Sequence, residues 1–420
     1  MTHEVLLVLL LFASFLAVLF TGYPVAMALG GVGILFAGLG EVLNLMGVEV
    51  DASLRFTSFV TNRVFDTLSN YSLIPMSMFV FMGFMLDRSG IADRLLSALR
   101  SAFGRVPGGL GLAVVAIGVV LAASTGIIGA SVVLLATIAV PAMNQAGYDK
   151  RFSLGTVGAT GCLGILIPPS IMLVVMGDQL RLPVGDLFLA AIVPGFLLAG
   201  LYAIYIIGYA LVNPAGAPSI PASERVGAGT LAVEMARSLV APLVLIFAVL
   251  GSIFLGIASP TEASGAGRLD WKTLKEVCWA TAKTTAFLYA LIFGASCFSV
   301  VLRGYGGDTV IAEALTALPL PPQGVLFVVV FVVFLLGFVL DWMEIVLIVA
   351  PLVMPIVVGL GFDPVWVAIL LAVCLQTSFL TPPVGAALFY LKSVAVGSTV
   401  RDIYAGVVPF VLLQLLGLAL

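Results

Sequence analysis

Long stretches without any charged residue are the feature that most constrains what this chain can fold into. Residues 106–148 contain no Asp, Glu, Lys or Arg, and other uncharged stretches recur from the beginning of the sequence to its end. About 20 apolar residues in a helix cross the roughly 30 Å hydrocarbon core of a bilayer. Charged residues make up only 9% of the chain, too few to cover the surface of a water-soluble protein. The sequence therefore predicts an all-α polytopic membrane protein.

The composition also excludes several classes of function. A net charge of −3 without a basic stripe offers nothing to hold a phosphate backbone, so we expect no nucleic-acid partner. The single histidine is His3, and the four cysteines form no CxxC pair, which argues against histidine-based catalysis, haem ligation and zinc sites. Without a histidine at membrane depth or a convincing nucleophile, we expect neither an enzyme nor an organic cofactor.

The lysines and arginines predict the orientation of the spans, because cytoplasmic loops carry the excess of positive charge. Two loops, 88–105 and 268–283, are strongly basic, and the rule is satisfied when both lie in the cytoplasm. The basic residues that this arrangement leaves on the outer face are Arg55, Arg63, Arg181 and Arg303. The arrangement also requires one more membrane crossing between Gly267 and Arg268, and we predict that such a helix is missing there from the sequence.

The sequence contains an internal repeat. Gly147-Tyr148-Asp149 matches Gly361-Phe362-Asp363, and Pro168-Pro169 matches Pro382-Pro383 at the same separation along the chain. In each copy a long apolar stretch, interrupted by polar residues in its middle, precedes a span that is broken at the proline pair. The interrupted stretch is typical of a re-entrant hairpin, which enters and leaves the membrane by the same face. Broken helices at matching positions of inverted repeats mark the midplane substrate and ion site of a secondary transporter.

The repeat and the charge pattern divide the chain into five regions. In order, these are N-terminal scaffold helices with an interfacial segment (1–86), the first repeat of the transport domain (87–186, hairpin about 107–143, broken helix about 152–177), scaffold helices with a linker and the missing crossing (187–283), the second repeat (284–402, hairpin about 322–358, broken helix about 364–391) and a C-terminal helix (403–420).

Small polar residues surround the breaks of both copies. Carbonyl groups that a broken helix frees must be buried or line a cavity, and together with hydroxyl oxygens they are the hard ligands that Na⁺ prefers. The candidate Na⁺ ligands are Ser124, Thr125, Gly126, Gly161, Gly164, Pro168, Asp341, Gln376, Thr377 and Thr381, and the candidate substrate-binding residues are Ser131, Ser170, Glu344 and Gly385. The alternative is that the hydroxyl groups bond back to the helix and that the prolines merely kink it.

Two acidic residues, Asp341 and Glu344, lie in the middle of the second hairpin. They are three residues apart, so on a helix they share one face. Ionisable residues at membrane depth are costly and are functional by default. The alternatives are a hairpin tip that is wetted at the surface, or a structural pair with Gln376 or Trp342.

Three segments resemble the large permease subunit of tripartite ATP-independent periplasmic (TRAP) transporters, the DctM-like family. They are Gly256–Ala263, Gly161–Ser170 and Thr381–Gly385, and the hairpin segment Leu340–Glu344 is also similar to that family. The resemblance covers nearly the whole chain. It departs after Gly267, where the family usually continues through another apolar helix, in agreement with the charge pattern.

The resemblance implies sodium-coupled uptake of an organic acid, commonly a carboxylate, across the inner membrane. It implies an elevator-type mechanism, in which the hairpins and broken helices move past a scaffold. The implied partners are a small DctQ-like membrane subunit and a periplasmic DctP-like substrate-binding protein, with Na⁺ as coupling ion. A stand-alone sodium/anion symporter of related fold remains an alternative, as does a channel.

Overall fold

The computed structural model describes residues 2–54, 57–88, 91–125, 128–219, 271–395 and 397–420, with a few isolated positions between 220 and 270. Its helices are α1 (Thr2–Phe20), α2 (Val25–Leu45), α3 (Thr57–Leu68), α4 (Ile74–Arg88), α5 (Ile91–Phe103), α6 (Gly109–Thr125), α7 (Ile128–Gln145), α8 (Lys150–Cys162), α9 (Ile171–Leu180), α10 (Val184–Val212), α11 (Trp271–Gly304), α12 (Gly307–Thr316), α13 (Pro322–Leu336), α14 (Trp342–Gly359), α15 (Pro364–Leu380), α16 (Ala386–Val394) and α17 (Val400–Ala419).

Within the described part of the chain, seven helices are long and apolar enough to cross a membrane. They are α1, α2, α7, α10, α11, α14 and α17. Five other apolar helices, α4, α6, α9, α13 and α15, contain shorter apolar segments. Helices of this length fall short of the roughly 20 residues that a full crossing takes. The predicted all-α polytopic membrane fold is confirmed.

The two basic segments form helices, which corrects their prediction as loops. Arg94 and Arg100 lie on α5, whose opposite face buries Leu95 and Leu99, so this segment is an amphipathic helix. Residues 272–283 lie in α11, which is 34 residues long and therefore extends beyond the hydrocarbon core. Arg88 at the end of α4 pairs with Glu276 of α11 at 3.3 Å, and this contact brings the two basic segments together at one end of the helices.

The two copies of the repeat have the same architecture. Hairpin 1 is formed by α6 and α7 and hairpin 2 by α13 and α14, while broken helix 1 consists of α8 and α9 and broken helix 2 of α15 and α16. The first arm of each hairpin packs against the first half of its own broken helix, α6 on α8 and α13 on α15. The second arm packs on its own broken helix and also on the other copy, α7 on α16 and α14 on α9. These contacts across the repeat bind the two copies into one unit.

The repeated Gly-aromatic-Asp sequence forms the turn between each hairpin and its broken helix. Gly147 and Gly361 have φ values of 77° and 96°, a left-handed conformation that glycine adopts without a steric penalty at a helix end. Asp149 and Asp363 then cap α8 and α15, because each carboxylate accepts a hydrogen bond from the backbone amide three residues later, at 2.9 Å and 2.8 Å. The sequence repeat is thus a repeated turn and cap.

Helices α2 and α11 cross closely because glycines line their contact. A β-carbon at Gly294 would overlap the carbonyl oxygen of Ala26, and one at Gly33 would lie 2.9 Å from the Cys297 sulfur. Close approach at small residues is how helices gain packing energy within a membrane, where the lipid supplies no hydrophobic driving force.

We expect Gly294→Ala to destabilise the protein by about 1–3 kcal/mol, since the added methyl group forces α2 and α11 apart. The matched control is Gly31→Ala on α2, where a β-carbon has nothing within 4 Å and where the better helix propensity of alanine is the main effect. Thermal unfolding in detergent measures both variants. Equal melting temperatures for the two would contradict the close crossing.

Candidate functional site

The two broken helices meet in the interior, next to the tip of hairpin 1. A β-carbon at Gly158 of α8 would lie 3.5 Å from Leu380, the last residue of α15, and 3.4 Å from Leu391 of α16. A β-carbon at Gly161 would lie 2.6 Å from Val132 near the beginning of α7. Glycine at these positions therefore allows the tip and the two breaks to pack directly against one another.

The break in broken helix 1 is held by Ser170. Helix α8 ends at Cys162, a 3₁₀ turn occupies Leu163–Ile165, and α9 begins after Pro168-Pro169. The fully buried Ser170 hydroxyl donates a hydrogen bond to the Ile165 carbonyl and accepts one from the Leu173 amide at 3.4 Å. Its side chain thus closes the break and caps α9. These bonds give Ser170 a local structural role in addition to the predicted contact with substrate.

The break in broken helix 2 carries three hydroxyl groups, and all three bond back to their own helix. Thr377 donates to the Val373 carbonyl at 2.9 Å, Ser378 donates to the Leu375 carbonyl at 2.9 Å, and Thr381 donates to the Thr377 carbonyl at 2.6 Å. A hydroxyl that donates its hydrogen keeps lone pairs on its oxygen. The hydroxyl groups therefore bond back to their own helix, as the alternative interpretation expected. Their oxygens can still bind a cation.

Gly385 completes the second break. Its amide donates to the Thr381 carbonyl at 3.1 Å, and a β-carbon there would overlap the Phe379 carbonyl. Only glycine allows the chain to turn this closely from α15 into α16. In hairpin 1, Ser131 is buried on α7, while Gly126 and the side chains of Ser124 and Thr125 lie outside the described residues.

The tip of hairpin 2 contains a buried acidic group without a complete set of partners. Glu344 is 2% exposed, and its Oε2 atom has no hydrogen-bond partner. Asp341 is exposed, and its carboxylate caps α14 by accepting a hydrogen bond from the Trp342 amide at 2.9 Å. Asp341 is the N-cap of the helix and Glu344 is the third residue of its first turn, so the two acids lie at the same end of α14. A π-helical turn, which is often found at functional sites, follows at Ile345–Val349.

Hairpin 2 reaches break 2 through Gly337. A β-carbon at Gly337 would overlap the Ser378 hydroxyl oxygen, and the Cys374 thiol lies 3.3 Å from the Val330 carbonyl of α13. Asp341, four residues beyond Gly337, lies within electrostatic range of Tyr390 on α16. The structure therefore brings the end of the first arm of hairpin 2 against α15 next to break 2.

A buried polar cluster of Gln376, Gln414 and Tyr202 lies behind break 2. Of these residues, the sequence analysis predicts a role only for Gln376. The amide of Gln376 is fully buried and neither of its polar atoms has a hydrogen-bond partner. Helix α15 packs against α10 and α17, where the Gln414 amide donates to the Tyr202 hydroxyl at 2.9 Å. Gln414 is the only amide side chain in an otherwise apolar C-terminal span, and that contrast is the signal in the sequence that could have found it.

Any cation at these breaks would be bound mainly by neutral oxygens. Among the described residues, no three His, Cys, Asp or Glu side chains come together in a way that could hold a metal ion. Helices α7, α9, α14 and α16 all begin at a hairpin tip or a break, so their amide ends carry partial positive charge there. The arrangement offers carbonyl and hydroxyl oxygens to a cation and helix N-termini to an anion.

The sequence matches one protein family and several characterised transporters. The family is described as Tripartite ATP-independent periplasmic transporter, DctM component, and its match spans residues 12–420. The C4-dicarboxylate TRAP transporter large permease protein DctM of Pseudomonas aeruginosa is 32% identical over 355 residues, covering 81% of this chain and 82% of that protein. The ectoine TRAP transporter large permease protein TeaC of Halomonas elongata is 28% identical over 430 residues, covering 97% and 95%.

A solved structure has the same fold. The YdaH transporter of Alcanivorax borkumensis, reported to have an unusual topology, superposes with a TM-score of 0.63 over 94% of this chain and 96% of its own, at 16% identity. The family match covers nearly the whole sequence, and the apolar helices fit a protein that crosses the inner membrane several times. The resemblance of the breaks to TRAP permeases is confirmed. This chain belongs to the DctM component family of tripartite ATP-independent periplasmic transporters.

Proposed function

We propose that this chain is the large membrane permease of a binding-protein-dependent system that takes up an organic acid together with Na⁺. The observation that carries the proposal is the meeting of two broken helices and two hairpins around two buried polar groups, Glu344 and Gln376, that are not fully hydrogen-bonded within the described part of the chain. A buried carboxyl group with an unpaired oxygen is ionised only with a cation beside it and otherwise stays protonated. The relatives in this family are named for small organic solutes, C4-dicarboxylates and ectoine.

The second Na⁺ site is proposed between the tip of hairpin 2, at Asp341 and its neighbour Glu344, and the oxygens of Gln376, Thr377 and Thr381. The first is proposed between the hairpin 1 tip at 124–126 and the break at Gly161–Pro168. Neutral oxygens hold Na⁺ weakly enough for the ion to leave on the other side. One charge that moves down 100 mV releases about 2.3 kcal/mol, so two or more Na⁺ carried with one carboxylate drive uptake.

The packing of the elements supports the proposed elevator-type movement. The hairpins and broken helices of both copies pack together as one unit, while α1 and α2 lie outside it with α11, which also contacts hairpin 2. That outer set carries large exposed apolar side chains such as Leu35 and Phe20, which need lipid or a second membrane subunit beside them. A small DctQ-like subunit and a periplasmic DctP-like binding protein are the proposed partners.

Uptake into proteoliposomes tests the proposal. The vesicles would contain this chain with its small subunit, an inward Na⁺ gradient would be imposed, and candidate binding proteins would be added outside one at a time. Uptake that requires both the gradient and one binding protein supports the proposal. Full uptake by this chain alone would instead indicate a stand-alone symporter, and uptake without the Na⁺ gradient would exclude sodium coupling.

Thr381→Val preserves the size of the side chain and removes one oxygen from the proposed second ion site. We expect the Na⁺ concentration for half-maximal uptake to rise about tenfold, because a lost interaction with a charged group costs about 1.5–3 kcal/mol. The matched control is Thr316→Val on α12, whose hydroxyl makes the same bond to the carbonyl four residues earlier, at 2.7 Å. If the two variants have the same sodium dependence, Thr381 is not a ligand.

A further inference from the structure

A cavity of about 820 Å³, called here the outer cavity, lies between the two repeats and the helices outside them. Helices α3 and α11 line one side of it, and the end of α9 and the middle of α14 line the other. Its polar lining contains three arginines, Arg63, Arg181 and Arg303. These are the arginines that the charge pattern places on the outer face, where substrate arrives.

The arginines of the outer cavity are only partly neutralised. Arg303 pairs with Asp308 at 3.4 Å, but Arg63 and Arg181 form no salt bridge with any described residue. Two carboxylates also line the cavity, Asp66 and Asp178. The carboxylate of Asp178 keeps its charge, but its two oxygens accept hydrogen bonds from the side-chain amides of Asn70 and Gln179.

Arg63 lies close enough to Arg303 and Arg181 to be repelled by both. Burial lowers the pKa of the Arg63 guanidinium, and repulsion by Arg303 and Arg181 lowers it further, while Asp66 opposes them with the smallest effect. Like charges that are held together in a partly buried cavity raise the local concentration of counter-ions. An anion in the outer cavity would relieve this repulsion.

Arg181 holds its place at the cost of backbone strain. Its φ of 55° and ψ of 40° are left-handed, and it is the only non-glycine residue with a positive φ among those described. It ends α9, at a position where glycine is the usual residue. Strain of about 1–3 kcal/mol persists where a side chain has a function that glycine cannot replace.

We propose that the outer cavity is a first binding site for the anionic group of the substrate, held by Arg63, Arg181 and Arg303 before the substrate reaches the breaks. The role of this cavity in transport rests on the proposed uptake function. The binding of an anion in the cavity can be tested without transport. Helix α9 connects the two places, because it begins at break 1 and ends at Arg181, about 15 Å away for ten residues. The two walls of the outer cavity belong to elements that the proposed mechanism moves apart, so the substrate would stay in the cavity only briefly.

Equilibrium binding to the purified protein is the first test. The melting temperature of the protein in detergent would be measured with succinate and with succinamide, its neutral analogue, in the absence of Na⁺. We expect succinate alone to stabilise the wild type, and Arg63→Gln and Arg181→Gly to remove most of this effect. Arg181→Gly relieves the backbone strain, so loss of binding in this variant would not come from misfolding. No stabilisation of the wild type by succinate, or equal stabilisation of the variants, would overturn the proposal.

Uptake kinetics give the second test. We expect Arg181→Gly to raise the substrate concentration for half-maximal uptake about tenfold at low ionic strength, with the maximal rate preserved and its salt dependence reduced. Arg181→Lys keeps the positive charge, so its half-maximal substrate concentration and salt dependence should stay close to those of the wild type. The matched control, Arg401→Gln, removes one exposed arginine from the start of α17 and should change none of these values. A fall in maximal rate alone, or no rescue by lysine, would overturn the proposal.

The two proposals fail separately. If the wild type takes up no organic acid but succinate still stabilises it through the arginines, the anion site stands and the uptake function does not. If uptake is sodium-dependent but the arginine variants bind and transport like the wild type, the outer cavity is not a substrate site.

Discussion

Glu344→Gln is expected to stabilise the protein without Na⁺ and to remove most of its stabilisation by Na⁺. Glu344 is 2% exposed, and its Oε2 atom lacks a partner, so the native carboxyl destabilises the empty protein. A buried polar group without a hydrogen-bond partner costs about 1–3 kcal/mol, and more when it is charged, so a neutral side chain of the same shape should recover part of this cost. A ligand at one hundred times its dissociation constant adds about 2.7 kcal/mol. Glu344→Gln should therefore lose much of the stabilisation that bound Na⁺ gives the wild type.

The measurement is thermal unfolding in detergent, with NaCl compared with choline chloride at equal ionic strength. The matched control is Glu313→Gln, which removes an exposed carboxylate from α12 and should leave the effect of Na⁺ intact. Asp341→Asn provides a second comparison, because asparagine still accepts the Trp342 amide hydrogen and so keeps the cap of α14. If Na⁺ stabilises Glu344→Gln and the wild type equally, the buried carboxylate does not contribute to cation binding.

The elements that the sequence predicted well are those with local causes. The Gly-Tyr-Asp and Gly-Phe-Asp turns combine a left-handed glycine with a capping aspartate, and both act on residues within a few positions along the chain. The proline pairs interrupt helices for an equally local reason, because proline lacks a backbone amide hydrogen and its ring clashes with the preceding turn. The same local rules act in both copies, so each copy supports the helix ends that are predicted in the other.

What the sequence did not predict depends on contacts between distant residues. Tyr202 and Gln414 are 212 positions apart, and their hydrogen bond exists only because α10 packs against α17. The charge pattern placed Arg63, Arg181 and Arg303 on one face of the membrane, but it carried no information that they line one cavity. The capping role of Asp341 was missed because helix periodicity alone does not show where a helix begins.

Gly337→Ala is expected to reduce uptake at least about tenfold by separating hairpin 2 from break 2. The φ of Gly337 is −64°, which any residue adopts, so the effect of the substitution lies in packing alone. The new β-carbon would overlap the Ser378 hydroxyl oxygen and come within 2.9 Å of its β-carbon. Overpacking of this kind costs about 1–3 kcal/mol, and here it acts between the two elements that are proposed to hold Na⁺. The matched control is Gly359→Ala at the end of α14, where a β-carbon has nothing within 4 Å.

A graded rescue distinguishes this contact from general misfolding. Ser378→Ala in the Gly337→Ala background removes the overlapping oxygen but leaves the two β-carbons too close, so we expect partial recovery of uptake. Ser378→Gly removes both obstacles and should restore most of it, although a glycine inside α15 costs about 1 kcal/mol of helix stability. Together with the single variants Ser378→Ala and Ser378→Gly and the wild type, these proteins complete two double-mutant cycles, measured by sodium-dependent uptake and by thermal unfolding, in which residues in contact couple by about 0.5–3 kcal/mol. Purely additive effects would mean that the two positions do not touch, and hairpin 2 would then have to meet broken helix 2 elsewhere.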